Sequence, residues 1–134
     1  MTVQLSTTIR NGQLDQVEIL TGTSPKFQVR SGAQPANCAA ADSGTLLAEL
    51  TLPSDWMNAG SSGSKTKLGT WSGTGAADGV AAHFRIKDTA GTTCHVQGSI
   101  SESGGGGDAI IDNENVGNGA PVAVNTFTLN AGNA

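Results

Sequence analysis

Few side chains in this sequence could carry out chemistry. The chain contains two histidines, two cysteines and no tyrosine. Cys94 and His95 are adjacent, and neighbours in a β-strand point to opposite faces of the sheet, so they do not form a nucleophile–base pair with each other. His83 and His95 could lie diagonally across a hairpin as a metal-binding or pH-sensing pair, but two ligands are too few for a structural zinc site and no third is evident. We therefore interpret both as ordinary surface histidines.

Cys38 and Cys94 are the only cysteines, and their spacing does not establish the geometry that a disulfide needs. A chain synthesised in the cytosol keeps its thiols reduced, and a buried cysteine then packs as a small apolar side chain. The sequence favours free thiols and leaves a disulfide as the alternative.

Two polar loops superficially resemble ligand-binding motifs. Residues 112–115 look like part of a calcium loop, but Val116 stands where an EF-hand supplies an oxygen ligand. The four glycines at 104–107 lack the Lys-Ser/Thr and the helix that follow a phosphate-binding loop. We interpret the first segment as a turn that caps its own backbone and the second as a flexible loop. The residues predict no enzymatic activity, no metal site and no cofactor.

Trp56 and Trp71 account for much of the aromatic area of a chain that has only three phenylalanines besides. Packing in the core is the simpler interpretation of both, and an anchor in a protein interface is the alternative, since interfaces are enriched in tryptophan. Trp56 follows Pro-Ser-Asp in a turn rather than in an alternating strand. It is therefore the better interface candidate of the two.

Composition excludes several classes of protein. The 134 residues suit one domain, and 19 glycines together with many Thr, Ser and Asn argue against a helical bundle. A net charge of −4 with scattered Lys and Arg does not suit a nucleic-acid surface. No apolar run is long enough to span a membrane, and no basic segment followed by an apolar one predicts Sec-type export. A small, loop-rich and mainly β domain remains.

The first 22 residues are expected to form an N-terminal arm and helix. Its apolar positions (Leu5, Ile9, Val17 and Leu20, with Leu14 at the edge) fall on one face of a helix. Ser6 is a plausible N-cap and Gly22 a plausible terminator. A hairpin that turns at 11–12 is the alternative, but residues 13–17 do not alternate, which favours the helix.

Residues 23–134 predict a single β domain. Short runs of alternating polarity lie between turn clusters, and the clearest of them is a hairpin over 82–100. In that hairpin Phe84 and Ile86 are expected to share a face with Cys94 and Val96, while the polar residues point the other way. The pattern predicts seven to eight strands in an antiparallel β-sandwich that resembles a jelly roll, preceded by the short helix.

Three segments together resemble a family of small virion proteins of tailed bacteriophages. They are VQLSTTIRN at 3–11 leading to 20–22, FQVRSGAQPANCAAADSGTLLA at 27–48 ending in LPSDW at 52–56, and HFRI at 83–86 with GTTCHVQG at 91–98, continuing at 112–113 and 127–129. The resemblance implies a β-sandwich or jelly-roll capsid decoration (cement) protein. Such a protein binds the outside of the head and stabilises the shell by bridging major capsid protein subunits. It implies no catalytic residue.

This resemblance implies an interface rather than an active site. We expect the anchors to be Val3, Leu5, Ile9, Val17 and Trp56, because the N-terminal segment is apolar on one side. The expected partners are the major capsid protein and neighbouring copies of the chain as a dimer or trimer, with neither nucleic acid nor membrane involved. The protein would be synthesised in the host cytoplasm and located on the exterior of the virion. The alternative is a receptor- or glycan-binding β module of a tail or head fibre, with a tryptophan as its sugar platform.

Overall fold

The computed structural model describes residues 3–132 and confirms a mainly β fold with one N-terminal helix. The helix α1 spans Thr7–Thr21. The ten strands are β1 (Lys26–Arg30), β2 (Leu46–Thr51), β3 (Ser64–Thr66), β4 (Trp71–Thr74), β5 (Gly79–Val80), β6 (His83–Lys87), β7 (Cys94–Ser101), β8 (Ala109–Ile111), β9 (Asn115–Val116) and β10 (Pro121–Asn130).

Eight of the strands form one curled sheet, which matches the predicted seven to eight. Its order is β2-β1-β6-β7-β8-β10-β3, and β4 pairs with β10. Ala48 in β2 forms a β-bridge with Gly75, the residue that follows β4. The two ends of the sheet therefore approach one another, and the sheet has the shape of a half-barrel. The strands β5 and β9 form a small second sheet. The arrangement is consistent with the predicted β-sandwich.

Two details of the sheet differ from the prediction. The pair β7–β8 is parallel, so the sheet is mixed rather than purely antiparallel. The strand β3 lies at the end of residues 59–66, a segment whose Gly and Ser content is typical of a loop rather than of a strand. The strand is formed because its backbone pairs with the end of β10, a long-range contact that local composition does not reveal.

The core lies inside the curl and contains all five aromatic side chains. Phe27 and Phe84 stack at 4.8 Å between ring centroids, and Phe84 meets Phe127 edge-on at 5.5 Å. Trp71 lies 5.4 Å from Phe127 and 6.0 Å from Trp56. The five aromatic side chains therefore form one contiguous cluster, and their rings pack in the offset and edge-on geometries that stabilise aromatic pairs.

The hairpin β6–β7 keeps the predicted alternation along most of its length. Phe84 and Ile86 point into the core, Val96 lies opposite Ile86, and the polar side chains alternate with them. The prediction for Cys94 is wrong, because the register shifts between Ile86 and Lys87 and brings Cys94 opposite Lys87. A β-bulge re-aims side chains in this way.

Candidate functional site

The helix α1 begins and ends as its sequence predicts, and the alternative hairpin does not form. The Ser6 hydroxyl accepts a hydrogen bond from the Ile9 N–H at 3.2 Å, which caps the N-terminus. Gly22 closes the helix with φ of 92°, and its N–H donates to the Glu18 carbonyl. Glycine adopts this left-handed conformation without strain.

Polar side chains under α1 fasten the helix to the β domain. Lys65 on β3 is 1% exposed, and its Nζ lies 2.9 Å from Asp15 Oδ1 and 3.2 Å from Glu18 Oε1. The same carboxylates accept backbone N–H bonds from Gly60 at 2.8 Å and Met57 at 3.0 Å. The helix is thus held by charge-assisted hydrogen bonds as well as by apolar packing.

The protonation equilibria of this cluster reflect the same contacts. Hydrogen bonds from Lys65 and the Gly60 N–H outweigh burial and lower the pKa of Asp15. Burial opposes the charge of Lys65, but its hydrogen bonds to Asp15 and Glu18 outweigh that effect and raise the pKa of the lysine. Both groups are therefore ionised at neutral pH.

The loop before β3 approaches the helix backbone closely. A Cβ on Gly60 would lie 2.8 Å from the Asn11 carbonyl oxygen, so only glycine fits here. The Asn11 side chain in turn accepts a hydrogen bond from the Gly63 N–H at 2.9 Å. At the other end of the chain, Arg10 Nη1 donates to the Ala131 carbonyl. These contacts fix the orientation of α1 as well as its position.

The outward side of α1 exposes apolar side chains. The exposed fraction is 52% for Ile9, 65% for Ile19 and 71% for Leu20, and Val3 before the helix is 81% exposed. These are four of the six large hydrophobic residues that are exposed in the described part of the chain, the others being Leu68 and Val80. The N-terminal segment therefore carries most of the exposed apolar surface of the described residues.

The four predicted anchor residues of the N-terminal segment fall into two groups. Val3 and Ile9 are exposed, whereas Leu5 and Val17 are half-buried and Val17 packs against the core. Leu14, predicted at the edge of the apolar face, is instead the most buried apolar residue of the helix. The helix is rotated relative to the prediction because Asp15 and Glu18 must reach Lys65 on the side that faces the sheet.

The prediction that Trp56 anchors an interface is wrong for this fold. The side chain is fully buried, and its Nε1–H donates to the Gly22 carbonyl at 3.0 Å. Trp71 is 1% exposed and donates to the Leu68 carbonyl. Neither ring can act as a sugar platform, so the glycan-binding alternative loses the residues on which it relied.

Two shallow grooves flank the exposed side of α1. One, of about 220 Å³, is lined by Gln13, Gln16, Val17, Leu20, Thr21 and His95. The other, of about 420 Å³, has Ile19 and Leu68 as its exposed apolar residues and also contains Asp15, Glu18 and Asp55. Apolar side chains beside recesses are typical of surfaces that bind another protein.

A second polar cluster, on the outer face of β1 and β6, was not predicted. Arg30, Arg85 and Lys87 all bind Asp42, with N–O distances of 3.1, 2.6 and 2.6 Å. Burial favours neutral Asp42, but the bonds from Lys87 and Arg85 and the charge of Arg30 outweigh it and lower the pKa to about 2. The alternating pattern correctly predicts that these cations point away from the core. It does not reveal that the loop 31–44 covers them.

A disulfide holds that loop in place. Cys38 in the loop is bonded to Cys94 at the start of β7, with 5.2 Å between the two Cα atoms. The favoured prediction of free thiols is therefore wrong, and the alternative is correct. The β-bulge in β7, opposite Ile86 and Lys87, turns Cys94 to the outer face, where Cys38 reaches it.

The two histidines do not form a pair. His83 is 1% exposed and its Nδ1 lies 3.0 Å from the Gly32 carbonyl, which it binds as a donor. Burial lowers the pKa of His83, so the ring is neutral near pH 7. His95 is exposed and lines a groove beside α1. The interpretation of His83 as a surface residue is wrong.

Residues 3–132 contain no group of three or more His, Cys, Asp or Glu side chains placed to hold a metal ion. In the same residues, no helix has the length and apolarity needed to cross a membrane. Comparison with known proteins found no matching family model, no similar curated protein and no similar solved structure.

Proposed function

We propose that this chain is a capsid decoration protein of a tailed phage. It acts by binding rather than by catalysis and needs no cofactor. It binds the exterior of the head and stabilises the shell by bridging major capsid protein subunits. The observation that carries the proposal is the concentration of exposed apolar side chains, Val3, Ile9, Ile19 and Leu20, in the N-terminal segment.

The geometry of α1 supports a role for this face in binding. Ile9 and Leu20 are separated by eleven residues, about three helical turns, so they lie on one stripe with Gln13 and Gln16 between them. The opposite stripe is fixed to the sheet through Lys65. A surface that is rigid before binding loses little conformational entropy on association.

The distribution of basic residues is compatible with a position outside the shell. Four of the seven Lys and Arg residues of the chain are buried: Arg30, Lys65, Arg85 and Lys87. Few cations remain to neutralise phosphates, which is the main source of affinity for nucleic acid. The proposed partners are therefore the major capsid protein and neighbouring copies of the chain, without nucleic acid or membrane. Repeated copies on a shell would add avidity to modest single contacts.

Binding to purified expanded capsids of the phage that encodes the chain tests this proposal. The double variant Ile9→Asp/Leu20→Asp places charges on the exposed stripe and leaves the contacts of Lys65 intact. We expect it to lower capsid occupancy at least about tenfold, because burying an unpaired carboxylate at an interface costs more than 1.4 kcal/mol. The control is Val80→Asp, which places a charge on a 55% exposed valine of β5, outside the stripe.

Equal occupancy by the wild type and the double variant would refute the role of the stripe. Failure of the wild type to bind capsids would refute the proposed function itself. If the wild type instead bound host-surface polysaccharide, the receptor-binding alternative would be supported, with a site other than the two tryptophans.

A further inference from the structure

The loop 31–44, the end of β6 and the start of β7 line a third recess, separate from the two grooves beside α1. Its volume is about 580 Å³. Its lining includes Cys38, Asp42, Arg85, Lys87, Thr93 and Cys94. The size is within the usual range for a small-molecule site.

The walls of this recess carry an excess of positive charge. Arg85 and Lys87 line it, Arg30 lies directly behind them, and the three cations share a single carboxylate, Asp42. The side chains of the cations are 10%, 2% and 6% exposed for Arg30, Arg85 and Lys87. His83 is neutral. The cluster thus holds two more positive than negative charges in a place where water screens them poorly.

Within the described residues, the neighbouring Glu49 and Asp88 form no ion pair with these three cations, and their hydrogen bonds come from neutral groups. Glu49 accepts a hydrogen bond from the Gln28 amide. Asp88 accepts from the Thr92 and Thr93 backbone N–H groups and from the Thr92 hydroxyl. Asp42 is therefore the one carboxylate that contacts the three cations within the described residues.

The three cations differ in how well their donors are satisfied. Arg85 donates to Asp42 and to the carbonyls of three loop residues, Asn37, Cys38 and Ala40, and in the described part of the chain only its buried Nε is left without a partner. Arg30 donates to Asp42 and twice to the Gln28 side chain. Among the described residues, Lys87 donates to Asp42 Oδ2 alone, an oxygen that it shares with Arg30.

Lys87 is thus the cation best placed to take a further ligand. Its ammonium group has three N–H donors, and Asp42 accepts one of them. The Thr93 hydroxyl lies on the same wall and, within the described residues, makes no hydrogen bond. A charged donor and a neutral donor next to excess positive charge are the features that bind oxyanions.

We propose that this recess is a binding site for an oxyanion, either a carboxylate or a phosphate. Lys87 and Thr93 donate to it, and Arg85 contributes charge while it holds the loop. The Cys38–Cys94 disulfide keeps the loop wall closed over Lys87. The site is separate from the exposed stripe of α1, so it stands or falls independently of the proposed function.

Titration of the oxidised protein, followed by amide NMR at constant ionic strength, tests the proposal. Inorganic phosphate and succinate are added separately, with sodium chloride as the reference. We expect saturable shifts at Ala39, Lys87 and Thr93 with at least one of the two oxyanions at millimolar concentration. The arm that saturates at the lower concentration identifies the chemical class.

Variants assign the shifts to the recess. Lys87→Met should weaken binding at least about tenfold. Thr93→Val changes an exposed side chain outside the core and should weaken binding about two- to fivefold, because one neutral donor is lost. Lys67→Met removes an equal charge outside the recess and should leave binding unchanged. Shifts that do not saturate, that chloride reproduces, or that persist in Thr93→Val and Lys87→Met alike would overturn the proposal.

Discussion

The helix α1 and the loop 31–44 are both fastened to the sheet by ion clusters, but their charge balances are opposite. Under α1, two carboxylates, Asp15 and Glu18, share one buried lysine, Lys65. Under the loop, three buried cations share one carboxylate, Asp42. In each cluster one group of the opposite charge, Lys65 or Asp42, contacts all the others. Removing it therefore leaves two or three like charges close together.

The surroundings of the two clusters decide how costly that removal is. The side chains of Asp15 and Glu18 are 39% and 23% exposed, and each accepts a backbone N–H bond. Water and these N–H groups can therefore stabilise the two carboxylate charges when Lys65 is removed. The cations under the loop are at most 10% exposed. Like charges that are buried repel more strongly than those that water reaches. The loop cluster should therefore be the more sensitive of the two.

Asp42→Asn is expected to have the largest effect. It leaves Arg30, Arg85 and Lys87 without a counter-charge and should lower the free energy of unfolding by about 3 kcal/mol, the lower end of the range for a broken buried pair, since Asp42 is one-third exposed. Urea denaturation of the oxidised protein measures it.

The matched control for that variant is Asp55→Asn. The Asp55 side chain is exposed and makes no hydrogen bond or ion pair with the described residues, so its change should stay within about 0.5 kcal/mol. If Asp42→Asn were equally mild, the loop cluster would not depend on its carboxylate.

Lys65→Met should have a smaller effect of about 2 kcal/mol, because the partly exposed Asp15 and Glu18 retain other partners. Hydrogen exchange should become faster in the amides of α1 and stay unchanged in the loop 31–44. The control is Lys26→Met, which should change stability by no more than about 0.5 kcal/mol, because in residues 3–132 the Lys26 Nζ donates to the exposed Thr51 hydroxyl alone. Faster exchange in both regions would show that the clusters are coupled and not separate.

The same two clusters mark the limit of what the sequence predicts. Hydrophobic periodicity identifies α1, its caps and most strands, because burial of apolar side chains is the main determinant of these elements. It places Arg85 on the outer face of β6 correctly. It does not show that residues 31–44, which have no periodicity, fold back over that face.

Long-range polar contacts account for the errors in the candidate site. The rotation of α1 is set by the reach of Asp15 to Lys65, 50 residues away. Trp56 lies in a turn by sequence, yet the turn folds inward and its ring joins the core. The disulfide depends on a bulge in β7 that no local pattern indicates.

Acidification should also distinguish the two clusters, with a smaller effect on the free energy of unfolding than Asp42→Asn or Lys65→Met. Asp42 has a pKa of about 2 in the folded chain against 3.8 for an ordinary aspartate, so its contribution is complete above about pH 5 and is lost as the pH falls towards 2. The difference in pKa corresponds to about 2.4 kcal/mol, and the partial exposure of Asp42 reduces it to about 1–2 kcal/mol.

The raised pKa of Lys65 affects stability at alkaline pH, where stability is lost as the pH rises above 10.5. Asp42→Asn should therefore flatten the acid limb of the stability–pH curve and Lys65→Met the alkaline limb, as measured by urea denaturation across the pH range. An acid limb that is unchanged in Asp42→Asn would assign the acid sensitivity to Asp15 and the helix cluster instead.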